Sequence, residues 1–442
     1  MARVGLDKIG VYLPQMYINH GNLRAERGFN DTGLGFESLS VPDLYDDPIS
    51  MAANAAESLG NYDRERVGRL VVATESNHDS AKPIANYVHE LIGLPENTET
   101  FEVKHACAAG SHALGDALNW IRIGQNKGRD ALIICSDIAR YEKGSSAELT
   151  QGAGAVALLV SDNPGLIEFD EHVGTYSKNF PDFFRTGEFP EVNGKLSVKA
   201  YNAALRGAYR DYGHKGIKDM DYLVCHTPFP SLVKKALRSL SAKEGIALES
   251  IEEKIKDSLQ APSRVGNIYT GSLFLALNSL LERKGSGSLG LYGFGSGCSG
   301  RFYSGHIIES AEPRLGSMLD QRMEIDANQY DEIVYSDSNS PLTFPKGFFL
   351  SDVAGNERHY QRAEDLVIHS PERDTSIEIV TTPQEGYTEL AQVNTMSLWE
   401  RAKEYAGLLT DTLVGAPWGF SPSEQYAVAE LQDKVNERLK RL

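Results

Sequence analysis

KHACAAGSHALGDAL (residues 104–118) and RVGNIYTGSLFLALN (residues 264–278) follow one scheme, although their residue identity is weak. In each, a small-residue turn opens directly into an apolar helical run. The neighbours repeat as well. RLVVATE (69–75) precedes the first copy and ALIICSD (131–137) follows it. DYLVCH (221–226) precedes the second and SLGLYGFGSG (288–297) follows it. Such short, β-rich, apolar runs read as strands buried on both faces. AVALLVSD (155–162) is a further one. Strands alternating with helical runs define an α/β chain, and two copies of one pattern imply a duplication packed about a pseudo-twofold axis.

The halves fall at residues 1–165 and 166–360, with a C-terminal extension at 361–442. The extension ends in a polar helical stretch, EQYAVAELQDKVNERLKRL. Between the halves, TYSKNFPDFFRTGEFPEVNGKLS (175–197) reads as an inserted loop region covering a site.

Composition narrows the function. The 442 residues carry a formal charge of −17. An acidic chain is a poor partner for nucleic acid or an anionic membrane. No apolar run reaches membrane-spanning length, and the N-terminus lacks the apolar core of a signal peptide. Cys107, Cys135, Cys225 and Cys298 are too scattered for a disulfide framework or a zinc site. No metal or cofactor is expected, and a reducing cytoplasm is the simplest setting.

The chemistry-bearing residues stand at strand ends and helix starts. Cys107 sits among small residues where a helix opens, a position at which the macrodipole favours thiolate. The alternative is a buried, inert cysteine. Glu75 ends a buried strand, where α/β sites form. Partial burial there would raise its pKa towards the range of an acid/base, whereas an exposed loop would leave it an ordinary glutamate. His226 ends the matching strand of the second half. It either binds a carbonyl and handles a proton or is a satisfied core histidine. Asn267 occupies the place of Cys107 in the repeat, to bind a carbonyl oxygen or to cap the next helix. Ser296 follows a third strand, as a ligand group or as turn chemistry. The pseudo-twofold would bring these ends together.

In combination these stretches resemble hydroxymethylglutaryl-CoA synthase, a family of the thiolase superfamily. The resemblance rests on VATES with Glu75, ACAAG with Cys107, TQGAGAVALLV (150–160), FPEVNGKLS, HTPF with His226, VGNIYTGS with Asn267 and GSG with Ser296. These run in order over roughly residues 3–360. It implies a thiolase-like, duplicated αβαβα layered fold, and a dimer formed through the strand near 131–137. It also implies that Cys107 carries an acetyl group from acetyl-CoA. Glu75 then forms the acetyl enolate and protonates the new hydroxyl, while His226 orients acetoacetyl-CoA. Asn267 and Ser296 bind the acceptor, and Thr150, Ser197 and Lys235 fall at substrate- or CoA-contacting places. The product would be 3-hydroxy-3-methylglutaryl-CoA of the mevalonate route.

Two positions depart from the family pattern. Ala108 stands where an aromatic residue usually follows the nucleophile, and Ser231 stands where a lysine usually helps hold CoA. CoA contact would then rest on Lys234, Lys235 and Arg27. The missing lysine also suits an acyl carrier protein, as used by polyketide relatives. A non-catalytic thiolase-fold partner subunit would be expected to lack part of the Glu75, Cys107 and His226 set, and here all three are present.

Overall fold

The computed structural model describes residues 3–76, 78–336, 340–355, 357–365, 367–368 and 379–380. Two compact units emerge. The first comprises Met1–Pro42 with Asp46–Tyr335, and the second Asp43–Tyr45 with Ser336–Leu442.

The first unit is organised by a nine-stranded sheet. Its strands, in chain order, are β1 (Gly5–Tyr12), β2 (Val67–Ala73), β3 (Glu99–Val103), β4 (Asp130–Ile138), β5 (Ala153–Ser161), β6 (Ile167–Ser177), β7 (Tyr222–Cys225), β8 (Gly287–Gly295) and β9 (Ser299–Ile307). Their spatial order is β7-β8-β9-β6-β1-β5-β4-β2-β3. The duplication lies open in this order. Outward from the central β1–β6 contact, β5, β4 and β2 on one side answer β9, β8 and β7 on the other. The senses of pairing agree too. β2 is parallel to β4 and β7 to β8, while β4–β5 and β8–β9 are antiparallel. At the junction Gly5 pairs with Glu168 and Leu6 with Ile167, antiparallel, as a twofold demands. The expected boundary at 165 falls in the turn between β5 and β6. At one outer edge β3 adds a ninth strand.

The helices repeat in step. Those used below are α1 (Pro48–Glu57), α2 (Ile84–Leu91), α3 (Ala109–Arg122), α4 (Gly194–Tyr212), α5 (Pro230–Glu244) and α6 (Ser272–Leu281). In each half one helix precedes the inner parallel strand (α1 before β2, α4 before β7). One follows it (α2, α5), and one leads into the next strand (α3, α6). Local chemistry fixes their ends. Asp47 and Ser50 form a reciprocal capping box, with Pro48 in the first turn of α1. Asn193 caps α4 with its side chain, and Gly213 closes that helix in the left-handed conformation.

Helices α3 and α6 share the central layer with both halves of the sheet. Ala113, Ala117, Phe274, Ala276 and Leu280 join Val71, Ile133, Val156 and Leu291 in one core, each at 1% exposure or less. Full burial of valine or leucine side chains contributes about 1.5–3 kcal/mol each. This is why both inner strands read as unbroken apolar runs. The approach is closest at Gly110, where a Cβ would lie 2.5 Å from Cys135 Sγ and 3.0 Å from the Thr270 carbonyl oxygen.

Three sequence expectations need correction. The dimer strand was placed at 131–137, but β4 is flanked by β2 and β5 and has no free edge. The free edge of that half is β3. The extension was expected from 361, yet the second compact unit already begins at Ser336 and takes in residues 43–45. There the Asp43 carboxylate accepts the Leu342 and Thr343 amides at 2.9 and 2.7 Å. A hairpin of Phe348–Ala354 and Glu357–Arg362 follows. The helix read at 424–442 lies outside the described residues. The third correction is local. Ala106 and Tyr269 both have positive φ (42° and 45°), each three residues before the first residue of α3 and of α6. By this register the residue matching Cys107 is Thr270, and Asn267 lies three positions upstream.

Candidate active site

Two residues past the end of β2, the chain turns and presents Glu75. One carboxyl oxygen, Oε1, is shut away from water without a hydrogen-bond partner. Burial first, then the nearby Asp137, push the Glu75 pKa up to about 8, against a smaller opposing pull from Cys107 and Arg185. Cys107 follows the left-handed Ala106, and its thiol lies against the Glu75 carboxyl, each group shifting the other's titration. Burial and the two carboxyls raise the thiol well above its ordinary range. The expectation that a helix N-terminus would hold Cys107 as thiolate is therefore overturned. The positive end of α3 is outweighed by desolvation and by acidic neighbours. The resting pair is a thiol beside a carboxyl, so the proton must leave sulfur as the acyl bond forms.

Asp137, at the end of β4, went unremarked in the sequence although it ends the quoted run ALIICSD. Its Oδ1 accepts Thr74 Oγ1 (2.9 Å), the Glu75 amide (2.7 Å), and the Ser76 amide and hydroxyl (3.0 and 2.9 Å). Its Oδ2 accepts the Thr270 amide and hydroxyl at 3.1 and 2.5 Å. One buried carboxyl thus ties the Glu75 turn to the turn opening α6 in the other half. Cys107 packs against a cluster formed by Tyr141, Tyr269 and Ala139, with Ala147 and Phe183 also against it. The rings of Tyr141 and Phe183 both stand edge-on to Tyr269, at 6.1 and 6.4 Å. No periodicity marked these aromatics, since they come from a loop, a two-residue strand and a single 3-10 turn.

His226 stands one residue past β7. Its amide donates to the Tyr292 carbonyl at 2.8 Å, and Tyr201 Oη donates to its own carbonyl at 2.8 Å. The residue is 1% exposed, and neither ring nitrogen has a hydrogen-bond partner among the described residues. Burial lowers its pKa to about 3, so it is neutral at physiological pH, with one N–H to offer and one lone pair. Strand β8 links it to the nucleophile. The His226 ring lies 6.3 Å from that of Phe294, and the next residue, Gly295, packs on the Ala108 backbone.

Asn267 does the capping job considered for it. Its Oδ1 accepts the Tyr269 amide (3.0 Å) and Ser272 Oγ (2.8 Å), capping the turn. Its side-chain N–H₂ is left to donate. Its backbone amide donates to the Thr150 carbonyl at 2.8 Å, which brings Thr150 to the site. The Thr150 hydroxyl meets Tyr141. Ser296 lies half-buried between β8 and β9. Ser197, in the first turn of α4, reaches the Asp182 carbonyl at 3.4 Å. Lys234 and Lys235 are exposed on α5. Nearby, the Ser231 amide donates to the Leu34 carbonyl at 3.0 Å, and its hydroxyl is buried without a partner.

Arg27 departs from expectation. Its guanidinium, 7% exposed, is ion-paired with the fully buried Glu148 at 2.8 Å and with Asp331. Those two carboxylates raise its pKa further, and the Tyr330 ring lies 5.9 Å away. A cation so neutralised is a structural tie and not a free phosphate ligand.

A duplicated thiolase-like fold with a cysteine beside a carboxyl in one half and a buried neutral histidine at a strand end of the other defines a condensing enzyme that works on thioesters. The family models described as hydroxymethylglutaryl-coenzyme A synthase N terminal and C terminal match residues 2–164, and 167–244 with 238–339. The chain belongs to the hydroxymethylglutaryl-CoA synthase family. It is 31% identical to the hydroxymethylglutaryl-CoA synthase of Enterococcus faecalis, over 81% of this chain and 99% of that one. It is also 31% identical to the polyketide biosynthesis 3-hydroxy-3-methylglutaryl-ACP synthase PksG of Bacillus subtilis, over 75% and 88%. Among solved structures, MvaS in complex with 3-hydroxy-3-methylglutaryl coenzyme A superposes with a TM-score of 0.76 at 32% identity, over 81% and 99% of the chains. The curacin-pathway HMG synthase superposes at 0.75 with 28% identity, over 82% and 100%.

Proposed function

We propose that this chain condenses acetyl-CoA with acetoacetyl-CoA to 3-hydroxy-3-methylglutaryl-CoA, through an acetyl group carried on Cys107. The observation that supports the assignment most directly is the contact between the Cys107 thiol and the raised-pKa Glu75 carboxyl. Sulfur adds to the acetyl thioester, its proton passes to the departing CoA sulfur, and CoA leaves as the free thiol. Glu75, as carboxylate, then takes a proton from the acetyl methyl. The enolate carbon attacks the ketone of the acceptor, and the alkoxide recovers the proton. Water finally cleaves the Cys107 thioester, releasing the product carboxylate and restoring the thiol. The neutral His226 donates its N–H to the acceptor carbonyl, and the free amide of Asn267 offers a second donor. Covalent attachment holds the enolate beside its partner and replaces a bimolecular encounter.

CoA is the carrier we favour, with Lys234 and Lys235 as the exposed cations for its phosphates and Thr150, Ser197 and Ser296 lining the approach. A mevalonate-type isoprenoid role, a cytoplasmic setting and a homodimer belong to the same reading. A carrier-protein acceptor is the second reading. It is favoured by Ser231 in place of a lysine and by the relative named as an ACP synthase. The deciding experiment incubates the protein with acetyl-CoA, looks by mass spectrometry for an acetyl group on Cys107, and then supplies acetoacetyl-CoA or an acetoacetyl carrier protein. Absence of acetyl-Cys107 overturns the assignment. Condensation with the carrier protein alone selects the second reading.

A further inference from the structure

The insert at 175–197 reaches Glu75 directly. Its short hairpin pairs Phe183–Phe184 with Glu191–Val192. Phe183 packs against the same aromatic cluster as Cys107. Two residues on, Arg185 turns back, and its Nη1 donates to the backbone carbonyl oxygen of Glu75 at 2.8 Å. Its Nε is buried without a partner. Among the described residues no carboxylate lies within ion-pair distance of this guanidinium, so its charge is spent on none of the pairings that neutralise Arg27.

The geometry points to Arg185 as a positioning residue for Glu75, fixing its backbone from the insert and supplying the positive charge against which its carboxylate forms. The inference rests on the condensing reaction proposed above. The groups facing Glu75 come from every surrounding element. They are Cys107 before α3, Asp137 at the end of β4, Tyr141 after it, Tyr269 before α6, and Arg185 from the insert. Four of these carry no charge or a negative one. Glu75 must nevertheless lose its proton to act as base, in surroundings that resist it. A fixed cation there lowers the cost of the carboxylate, and a donor on its backbone carbonyl keeps the carboxyl aimed at the thiol.

The test is the pH profile of condensation in the full-length protein, with Arg185→Gln and Arg185→Lys compared to wild type. Acetyl-enzyme is quantified by mass spectrometry in parallel. In Arg185→Gln the ascending limb of kcat should move to higher pH by about one unit, as expected for removal of one nearby opposite charge. The rate at neutral pH would then be about tenfold lower. Arg185→Lys keeps the charge and loses the fixed fork, so its limb should stay near that of wild type while kcat falls. If Arg185→Gln lowers kcat equally at all pH values, or leaves the profile unchanged, the charge role is overturned. If wild type forms no acetyl-enzyme, it is the underlying reaction assignment that fails. Thermal melts of both variants identify loss of fold. Should Arg185→Gln not fold, the position of the limb in Arg185→Lys, with and without added salt, decides the question.

Discussion

Cys107 and Glu75 each prefer their protonated form, because both are buried and both face Asp137. The pair therefore carries charge only when chemistry demands it. For Glu75→Ala, the removed carboxyl was one of the groups holding the thiol pKa up, so attack on acetyl-CoA survives. Condensation should fall by about 10²–10⁴-fold, the usual contribution of a positioned acid/base. Trapping acetyl-enzyme in this variant and then adding acceptor checks both halves, and normal condensation would remove Glu75 from the base role. Stability makes a separate, signed statement. The folded pKa of about 8 lies above the ordinary value of 4.5. The folded state therefore binds more protons between these values. Stability from this group is fully present below about pH 4.5, declines as pH rises through the window, and levels off above pH 8, at about 1.4 kcal/mol per unit. Glu75→Gln should remove this dependence and melt higher than wild type at pH 8, with little difference at pH 4.5. Equal melting shifts at both pH values would show that Glu75 is not held protonated. Residue types and places were legible in the sequence, because strand ends and small-residue turns can be read locally. Ionisation was not, because it depends on Asp137 and on burial contributed from distant segments. Arg27 failed for the same reason, its partners lying at Glu148 and Asp331.

At the scale of elements, the inner strands and the helices opening after Cys107 and Asn267 were readable, because full burial leaves uninterrupted apolar runs. The register of the two turns was not. Counting back from positive-φ Ala106 and Tyr269 shows an offset of three that no residue identity reveals. The aromatic cluster beside Cys107 was equally hidden, since Tyr141, Tyr269 and Phe183 come from a loop, a single 3-10 turn and a two-residue strand, too short to show a period. What the two turns share is tight contact across the central layer, and Gly110 is its narrowest point. An added Cβ would meet Cys135 Sγ at 2.5 Å, Phe274 Cε2 at 2.8 Å and backbone oxygen of Thr270 at 3.0 Å. The backbone contact cannot rotate away. Gly110→Ala should therefore destabilise by about 1–3 kcal/mol and displace the Cys107 turn, slowing acetylation as well. Gly124→Ala is a control for glycine substitution in itself. That residue has positive φ and nothing within 4 Å of a Cβ, so strain appears there without a clash. Denaturant melts together with acetylation rates check this. A Gly110→Ala protein with wild-type acetylation would mean that α3 and α6 can part without moving the nucleophile.

At the scale of the whole molecule, the duplicated sheet ends in unequal ways. One side stops at β7. The other carries the additional strand β3, which has no counterpart in the second half among the described residues, where short helices at Leu248–Ile255 and Gln260–Val265 intervene before α6. A sheet edge presents unpaired backbone donors and acceptors and is a template for another strand. Beside it runs an open groove of about 570 Å³ lined by Asn86, His89, Glu90, Thr98 and Thr100 among others. A second copy related by a twofold would pair β3 with itself antiparallel, extending the sheet across both molecules and covering both grooves at once. This relocates the dimer contact from β4, which has two neighbours already, to an edge with one. Sedimentation of the full-length protein at micromolar concentration should give the mass of a dimer. Thr100→Lys places a lysine on that edge, the device by which natural sheets block pairing, and a twofold axis brings two such charges together. The variant should sediment as monomer, or with a dissociation constant raised at least about tenfold, equivalent to 1.4 kcal/mol. The wild-type melting temperature should depend on protein concentration, and that of the variant should depend on it less or not at all. If wild type is a dimer and Thr100→Lys remains one with unchanged affinity, the contact lies elsewhere on the surface and β3 is simply an exposed edge.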